Sequence, residues 1–447
     1  MRTYTRARRM AGVMLAASLL ATACGGSTDG DGAGTETETE DTGGTEGGET
    51  EGGEAGALGQ VVVPAGEAIQ IRSLQAISGD VAFLGLPNQR GTELAIEDYG
   101  QIQGFDVELG TPLDDLCDSA GGQAAAQQIV ADEQVVGVIG TSCSGAAVAA
   151  MPLISQAGMV MISPSNTSPS LTSDLAGTAG EDYQPGYYRT AHNDLFQGQA
   201  VAEFLFNDKG VTKAAAIHDG DPYTEGLARA FADAFEALGG EVTAFTAVNK
   251  GDTDMTGALT EAAQGEPGAL FFPIFMPEAG FIVQQIADVE GLSDALLISA
   301  DGTLTDNFTE LPESVGVFHS GPNLAYGDNA NELGTSADDF LARYEEAYGE
   351  TPAAAFWAHS YDATALLLKA IDAVAEVDGD GNLVIDRQAL RDELTATSGY
   401  QGIIGTINCD EFGDCGAQRI SIVEHVEGET KAQELADNIV FEFEPAA

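Results

Sequence analysis

Short continuous apolar runs alternate with longer amphipathic stretches along most of the chain. Val135–Gly140 has no polar side chain, and Met159–Ser163, Ala214–His218, Ala269–Phe275 and Leu296–Ser299 are similar runs. Such runs, flanked by amphipathic segments, read as strands of a parallel sheet buried on both faces. Further strands are predicted at Ile69–Ile77, Phe105–Gly110, Glu241–Val248, Val315–His319, Ile403–Ile407 and Ile420–Val423. Between them, helices are predicted over Pro87–Tyr99, Ser119–Glu133, Asn193–Asn207, Tyr223–Leu238, Met255–Ala263 and Pro277–Val289. Gly239-Gly240 supplies a helix stop. Later helices are predicted at Ser336–Tyr348, Ala355–Val374 and Arg387–Thr395. Strands alternating with helices imply βαβ units, and there are too many strands for one small sheet. The expected fold class is α/β, with two Rossmann-like lobes built on parallel-rich sheets.

The first residues follow a different pattern. Arg2, Arg6, Arg8 and Arg9 precede an apolar run from Met10 to Ala23, closed by the small residues Ala21-Thr22-Ala23. That order predicts a secretory signal over residues 1–23. The run is shorter than the ~20 residues needed to span a bilayer. The next residue, Cys24, resembles the cysteine of the bacterial lipoprotein lipobox, with Ala21 where that motif prefers Leu and Leu20 one position further back. The resemblance implies cleavage before Cys24 and a lipid on its sulfur. Residues 24–60 form the expected linker, rich in Gly, Thr and Glu and without Lys or Arg. Such a composition cannot bury enough apolar surface to offset its ordering entropy. A flexible linker of ~35 residues spans roughly 30–35 Å, and acidic self-repulsion lengthens it. The expected location is extracytoplasmic, anchored to the cell membrane through Cys24.

Charge and cysteine count narrow the function. The chain carries 71 acidic and 17 basic residues, for a formal charge of −54. Nucleic acid is not an expected partner, because its recognition requires a basic footprint. Apart from Cys24, four cysteines remain: Cys117, Cys143, Cys409 and Cys415. An even number outside the cytoplasm fits two disulfides, with three possible connectivities. Sequence proximity favours Cys117–Cys143 and Cys409–Cys415. No CxxC or CxxH spacing suggests zinc, and no cofactor is expected.

Ligands of open α/β sheets bind beyond the carboxyl ends of the strands. Thr141-Ser142-Cys143-Ser144-Gly145 follows the strand ending at Gly140, and Pro164-Ser165-Asn166-Thr167-Ser168-Pro169 follows the strand ending at Ser163. Ser144 is placed to cap a small-residue helix or to bind an anion at its start, and Ser168-Pro169 reads as N-cap then N1. Two hydroxyls and two sets of backbone N–H groups could grip a carboxylate without an arginine. Asp219-Gly220-Asp221-Pro222-Tyr223 and Asp301-Gly302 follow two later strands. Asp301 could hold an ammonium group. Taken singly, each has a simpler reading as a cap or a turn.

From about Ala68 onward, the chain resembles the branched-chain amino-acid (leucine, isoleucine, valine) binding proteins of ABC importers, which have the type I periplasmic-binding fold. Ser78-Gly79-Asp80-Val81-Ala82 resembles that family's first strand-to-helix turn. Asp115-Leu116-Cys117-Asp118 with Cys143-Ser144 resembles its disulfide, which strengthens the Cys117–Cys143 pairing. Met161-Ile162-Ser163-Pro164-Ser165-Asn166-Thr167 resembles its second carboxylate loop, and Ile217-His218-Asp219 with Tyr223-Thr224-Glu225-Gly226-Leu227-Ala228 its second-lobe entry.

The resemblance implies two lobes joined by a hinge, with residues 61–190 plus 320–400 in the first and 191–319 plus 401–447 in the second. It implies that Ser144 and Thr167, with the Asn166 backbone, bind the ligand carboxylate. Tyr223 would form an aromatic wall and Asp301 would bind the ammonium, replacing the family's usual Glu. Phe275 and Met276 lie where the family often has aromatic residues, and Leu84 where some members have Tyr. Core packing is the competing reading of Phe275 and Met276.

The implied function is solute capture for an ABC permease by a protein expected to act as a monomer. Alternatives are a sensing receptor of the same fold, or a binder of amides, urea or aromatic acids. An enzyme is not expected: the serines lack a GxSxG frame, and no HExxH, Walker A or strand-linked GxGxxG motif occurs. Asp378-Gly379-Asp380-Gly381-Asn382 starts like a calcium loop, but Leu383 and Ala389 occupy its required Gly and Glu positions. It is expected to be a polar loop between helices.

Overall fold

The buried apolar runs assemble into two sheets, which a computed structural model describes over residues 56–445. The expected signal, Cys24 and most of the linker lie outside the described residues. In the first sheet, Val107–Glu108, Ile69–Gln75, Val135–Gly140, Val160–Ser163 and Tyr187–Arg189 run parallel in that spatial order. Every residue of Val135–Gly140 and Val160–Ser163 is buried, because helices cover both faces. Helices Ala82–Tyr99 and Trp357–Val374 pack on one face. Helices Ser119–Val130 and Ser144–Gln156 pack on the other, where Ala125, Ala126, Ala147 and Ala150 permit close approach.

The second sheet has the order Ile439–Phe443, Ile420–Glu424, Phe318–Pro322, Leu296–Ser299, Ala269–Phe271, Lys213–His218 and Glu241–Ala247. The first two pairings are antiparallel and the others parallel. The chain passes between the two sheets at residues 190–193, 323–336 and 408–419. Both cysteine pairs are bridged, Cys117 to Cys143 and Cys409 to Cys415.

Several predicted elements are corrected. The first helix begins at Ala82, not Pro87, and carries Pro87 inside it. Gly85 is needed there, because a Cβ would stand 2.0 Å from the Ala76 carbonyl oxygen. The predicted strand Ala269–Phe275 ends at Phe271, and Val315–His319 is displaced to Phe318–Pro322. Ser168-Pro169 opens only the 3-10 turn Pro169–Leu171.

Ile403–Ile407 is the turn and second arm of a hairpin, Tyr400–Gly402 with Gly405–Ile407. Tyr400, Ile403, Ile404 and Ile407 pack in the first lobe's core, so the chain leaves that lobe after the hairpin and not at residue 400. A three-stranded antiparallel sheet of Gln60–Val63, Leu383–Asp386 and Ala375–Val377 also joins that core. It makes Asp378–Asn382 a turn between strands, where Asp378 Oδ1 accepts the amides of Asp380 and Asn382.

Candidate functional site

Two loops beyond the first sheet's carboxyl ends meet two loops from the second. Together they line a narrow, nearly closed cleft with about 20 Å³ of free space. Leu84, Ser142, Cys143, Ser144 and Ser165 line it from the first lobe. Tyr223, Phe275, Asp301 and Gly302 face them, and Phe356 completes the lining.

The first wall is built from backbone and hydroxyl groups held in place from behind. The Ser142 amide donates to Asp115 Oδ2 at 2.7 Å, and its hydroxyl donates to Gln75 Oε1 at 2.7 Å. Asp115 Oδ1 also accepts the Cys117 amide at 2.7 Å, so one buried carboxyl fixes both arms of the disulfide. Burial pushes the Asp115 carboxyl up to about 7. Ser144 is the first residue of its helix, with Cys143 as the capping position. Its hydroxyl accepts the Ser168 amide at 3.4 Å, a long bond that leaves capacity for a ligand. The helix start offers a favourable dipole to an anion; its Ala146 and Ala147 amides donate to the Cys143 carbonyl, and the Asp221 carboxyl lies against the Gly145 amide.

The second wall is acidic. Tyr223 donates its hydroxyl to Asp301 Oδ1 at 3.1 Å, and Gln197 donates Nε2 to the same oxygen at 2.8 Å. The Tyr223 and Phe275 rings lie 5.1 Å apart between centroids, and the Gly302 amide donates to the Tyr223 hydroxyl. Burial pushes Asp301 up to about 6, against the bonds from Gln197 and Tyr223 that favour its ionised form. Asp194 is buried close by. Burial first, then the nearby Asp301, raise its carboxyl well above the usual range. Neither Asp194 oxygen has a hydrogen bond of normal geometry, and the buried Thr167 hydroxyl has none either. That hydroxyl nevertheless lies on the Asp194 side and favours its ionised form. Buried polar atoms without partners cost stability, and both residues lie behind the cleft lining.

Two contacts bridge the walls. Lys250 Nζ donates to the Cys117 carbonyl at 2.8 Å. Asp221, which caps the helix Pro222–Ala237, faces the start of helix Ser144–Gln156 so closely that a Cβ on Gly145 would lie 2.4 Å from Asp221 Oδ2. Burial pushes the Asp221 carboxyl up to about 6.

Of the residues singled out in the sequence, Ser144, Tyr223, Phe275, Asp301 and Leu84 line the cleft. Asn166 and Thr167 are fully buried behind that lining. Asn166 Oδ1 accepts from Thr141 and Tyr187, which ties the two first-wall loops together. Met276 is not in the cleft. It packs on a second-lobe core with Leu311, the alternative considered for it. Ser142, Ser165, Phe356, Asp194 and Gln197 were missed. Ser142 and Ser165 stand in loops already singled out, whereas Asn193-Asp194 reads only as a helix start. Among the described residues, no group of three or more His, Cys, Asp and Glu could hold a metal ion, and no helix is long and apolar enough to cross a membrane.

Similarity to known proteins agrees with this geometry. A Leu/Ile/Val-binding protein homologue of Brucella suis is 28% identical over 341 residues, covering 76% of this chain and 85% of that protein. A leucine-, isoleucine-, valine-, threonine- and alanine-binding protein of Pseudomonas aeruginosa is 27% identical over 361 residues, covering 78% and 88%. The crystal structure of a leucine-binding protein from Thermotoga maritima shares the fold with a TM-score of 0.72 at 24% identity, covering 85% of this chain and 99% of that one. Residues 68–427 match the family described as periplasmic binding protein, and the chain belongs to that family, whose members bind solutes outside the cytoplasm and are not enzymes.

Proposed function

We propose that this chain is the solute-binding lipoprotein of an ABC importer and that it captures an amino acid with an apolar side chain between its two lobes. One observation carries the reading: one cleft sets serine hydroxyls and a helix start on one wall against the buried Asp301 carboxyl on the other. An α-amino acid presents those two demands a few ångströms apart. Ser144 and the start of its helix would receive the carboxylate, with Thr167 behind them supporting the loop. Asp301 would receive the ammonium, with Asp194 behind it. Leu84, Tyr223, Phe275 and Phe356 would surround the side chain. Names of the similar proteins support a leucine-type ligand.

Capture follows from hinge closure across the three crossings. Buried ligand charges require paired partners, so only a ligand that satisfies both walls stabilises the closed state. Lys250 and Asp221 would then hold the lobes together. The closed monomer would present both lobes to the permease, and a lipid on Cys24 would keep it near the membrane.

Thermal unfolding with L-leucine, L-isoleucine, L-valine and benzoate tests the reading. A ligand that binds only the folded form raises the midpoint. At least one of the three amino acids is expected to raise it well above benzoate. No shift with any amino acid would contradict the proposal, and mislocalisation of a Cys24→Ser variant into the soluble fraction would check the anchor.

A further inference from the structure

The second disulfide belongs to a loop that lies against the back of the ligand-binding wall. Cys409 and Cys415 close a six-residue span, and between them Asp414 is nearly buried. The loop continues the first sheet past its last strand. Arg189 ends that strand and forms a parallel bridge with Asp414. The Arg189 amide donates to the Gly413 carbonyl at 2.9 Å, and the Cys415 amide donates back to the Arg189 carbonyl at 3.0 Å. Gly413 has φ +87°, and a Cβ there would stand 2.2 Å from the Tyr187 carbonyl oxygen, so the loop lies flat on the strand.

The Arg189 side chain is fully buried and every contact it makes is directional. Nε donates to Asp414 Oδ1 at 2.5 Å. Nη1 donates to the carbonyls of Ser168 at 2.8 Å and Asn166 at 3.3 Å, and Nη2 donates to Thr172 Oγ1 at 2.6 Å. Those two carbonyls flank Thr167, and the Ser168 amide is the one that reaches Ser144. The planar guanidinium has a fixed fork of donors. Its orientation therefore sets the height of the whole 166–168 loop. Asp414 fixes that orientation, and its other oxygen is held by Asn193 Nδ2 at 3.2 Å.

We infer that Arg189 and Asp414 are positioning residues for ligand binding, and that the Cys409–Cys415 bridge acts through them to hold the Asn166–Ser168 loop at carboxylate-binding height. The inference rests on the proposed amino-acid reading for its effect on affinity, but its effect on the loop is independent of any ligand. An unbridged 409–415 loop frees Asp414, the guanidinium loses its fixed partner, and the Asn166 and Ser168 carbonyls lose theirs.

The test compares three full-length variants with the unaltered protein: Asp414→Asn, Arg189→Lys, and Cys409→Ser combined with Cys415→Ser. Amide hydrogen exchange of the unliganded proteins is followed at residues 164–172 and at the central strand 135–140. Calorimetry with L-leucine follows affinity. Faster exchange is expected at 164–172 with 135–140 unchanged, together with a loss of L-leucine affinity of about tenfold or more for Asp414→Asn, the size expected when one hydrogen bond to a charged group is lost. Arg387→Gln serves as a control, because Arg387 is a buried arginine that holds the carbonyls of Glu133 and Val135 instead. Equal acceleration in both segments would show a merely structural role and overturn the inference, as would unchanged exchange at 164–172. Should the unaltered protein fail to bind L-leucine, the amino-acid reading is at fault, and the exchange result decides the positioning role by itself.

Discussion

The two walls of the cleft solve opposite electrostatic problems by opposite means. On the first wall, the groups facing the ligand are neutral, and several are held from behind by paired groups: Ser142 by Asp115 and Gln75, the Asn166 loop by Thr141 and Tyr187, and Arg189 by Asp414. On the second wall, Asp301 and Asp194 are buried near each other, and burial holds both carboxyls above their ordinary range. Oriented N–H groups at a helix start can receive an anion without any formal charge. A cation has no such neutral option of equal strength and calls for a carboxylate. The comparison teaches that the anion wall is prepared by geometry and the cation wall by charge. Damage to each should therefore look different.

The largest effect is expected from removing the charge. Asp301→Ala should weaken L-leucine binding by more than about a hundredfold, since breaking a buried charge pair costs about 3–5 kcal/mol. Calorimetry checks this, and an unchanged affinity would remove the ammonium role from Asp301. Next comes the scaffold of the first wall. Cys117→Ser with Cys143→Ser opens a span of 26 residues, worth ~3–4 kcal/mol of stability in the chain-entropy model. The thermal midpoint should fall accordingly, and more than for the shorter Cys409–Cys415 bridge. Ser144→Ala should cost only about 1 kcal/mol, roughly fivefold in affinity, as expected for one neutral hydrogen bond. Its thermal midpoint should barely move. A loss as large as that of Asp301→Ala would mean that the walls do not differ as described.

The pH dependence of affinity sharpens the same contrast. Asp301 is raised to about 6 in the empty cleft. Below that pH it carries a proton and is a poor partner for an ammonium group. Affinity for L-leucine should therefore fall as pH drops below about 6, with a proton released on binding, and Asp301→Asn should flatten the curve. A separate effect concerns stability. Asp115 is raised to about 7 by burial, so the folded state retains a proton that the unfolded chain loses near pH 4. Its contribution is complete below the unfolded value and is lost as pH rises through about 7. Denaturant titrations of Asp115→Asn should lack that decline.

Much of this organisation was legible in the sequence, for reasons that differ by element. Val135–Gly140 and Val160–Ser163 are buried on both faces, so their residues carry no competing polar signal. The loops that follow them could then be found by topology alone, and Ser144 with them, as Asp301 could after Leu296–Ser299. What failed was set by tertiary contact. Pro87 read as a helix start, but the helix begins at Ala82, where Gly85 lets it touch Ala76. Gln60–Val63 has only two inward valines and adjoins a Gly- and Glu-rich stretch, so only pairing with Leu383–Asp386 makes it a strand. Asp194 looked like an ordinary first-turn acid. Its importance comes from lying near Asp301, 107 positions later in the chain, which no local pattern reveals. Met276 was misplaced because adjacent residues can face opposite sides, and Phe275 alone faces the cleft.

The central claim is that the two walls grip the two charged ends of one amino acid. The most direct measurement is calorimetry of the unaltered protein with L-leucine and with 4-methylpentanoate, which keeps the carboxylate and side chain but lacks the ammonium. The account predicts that L-leucine binds and that 4-methylpentanoate binds at least about a hundredfold more weakly, because Asp301 loses its partner. Equal affinity for the two would contradict it.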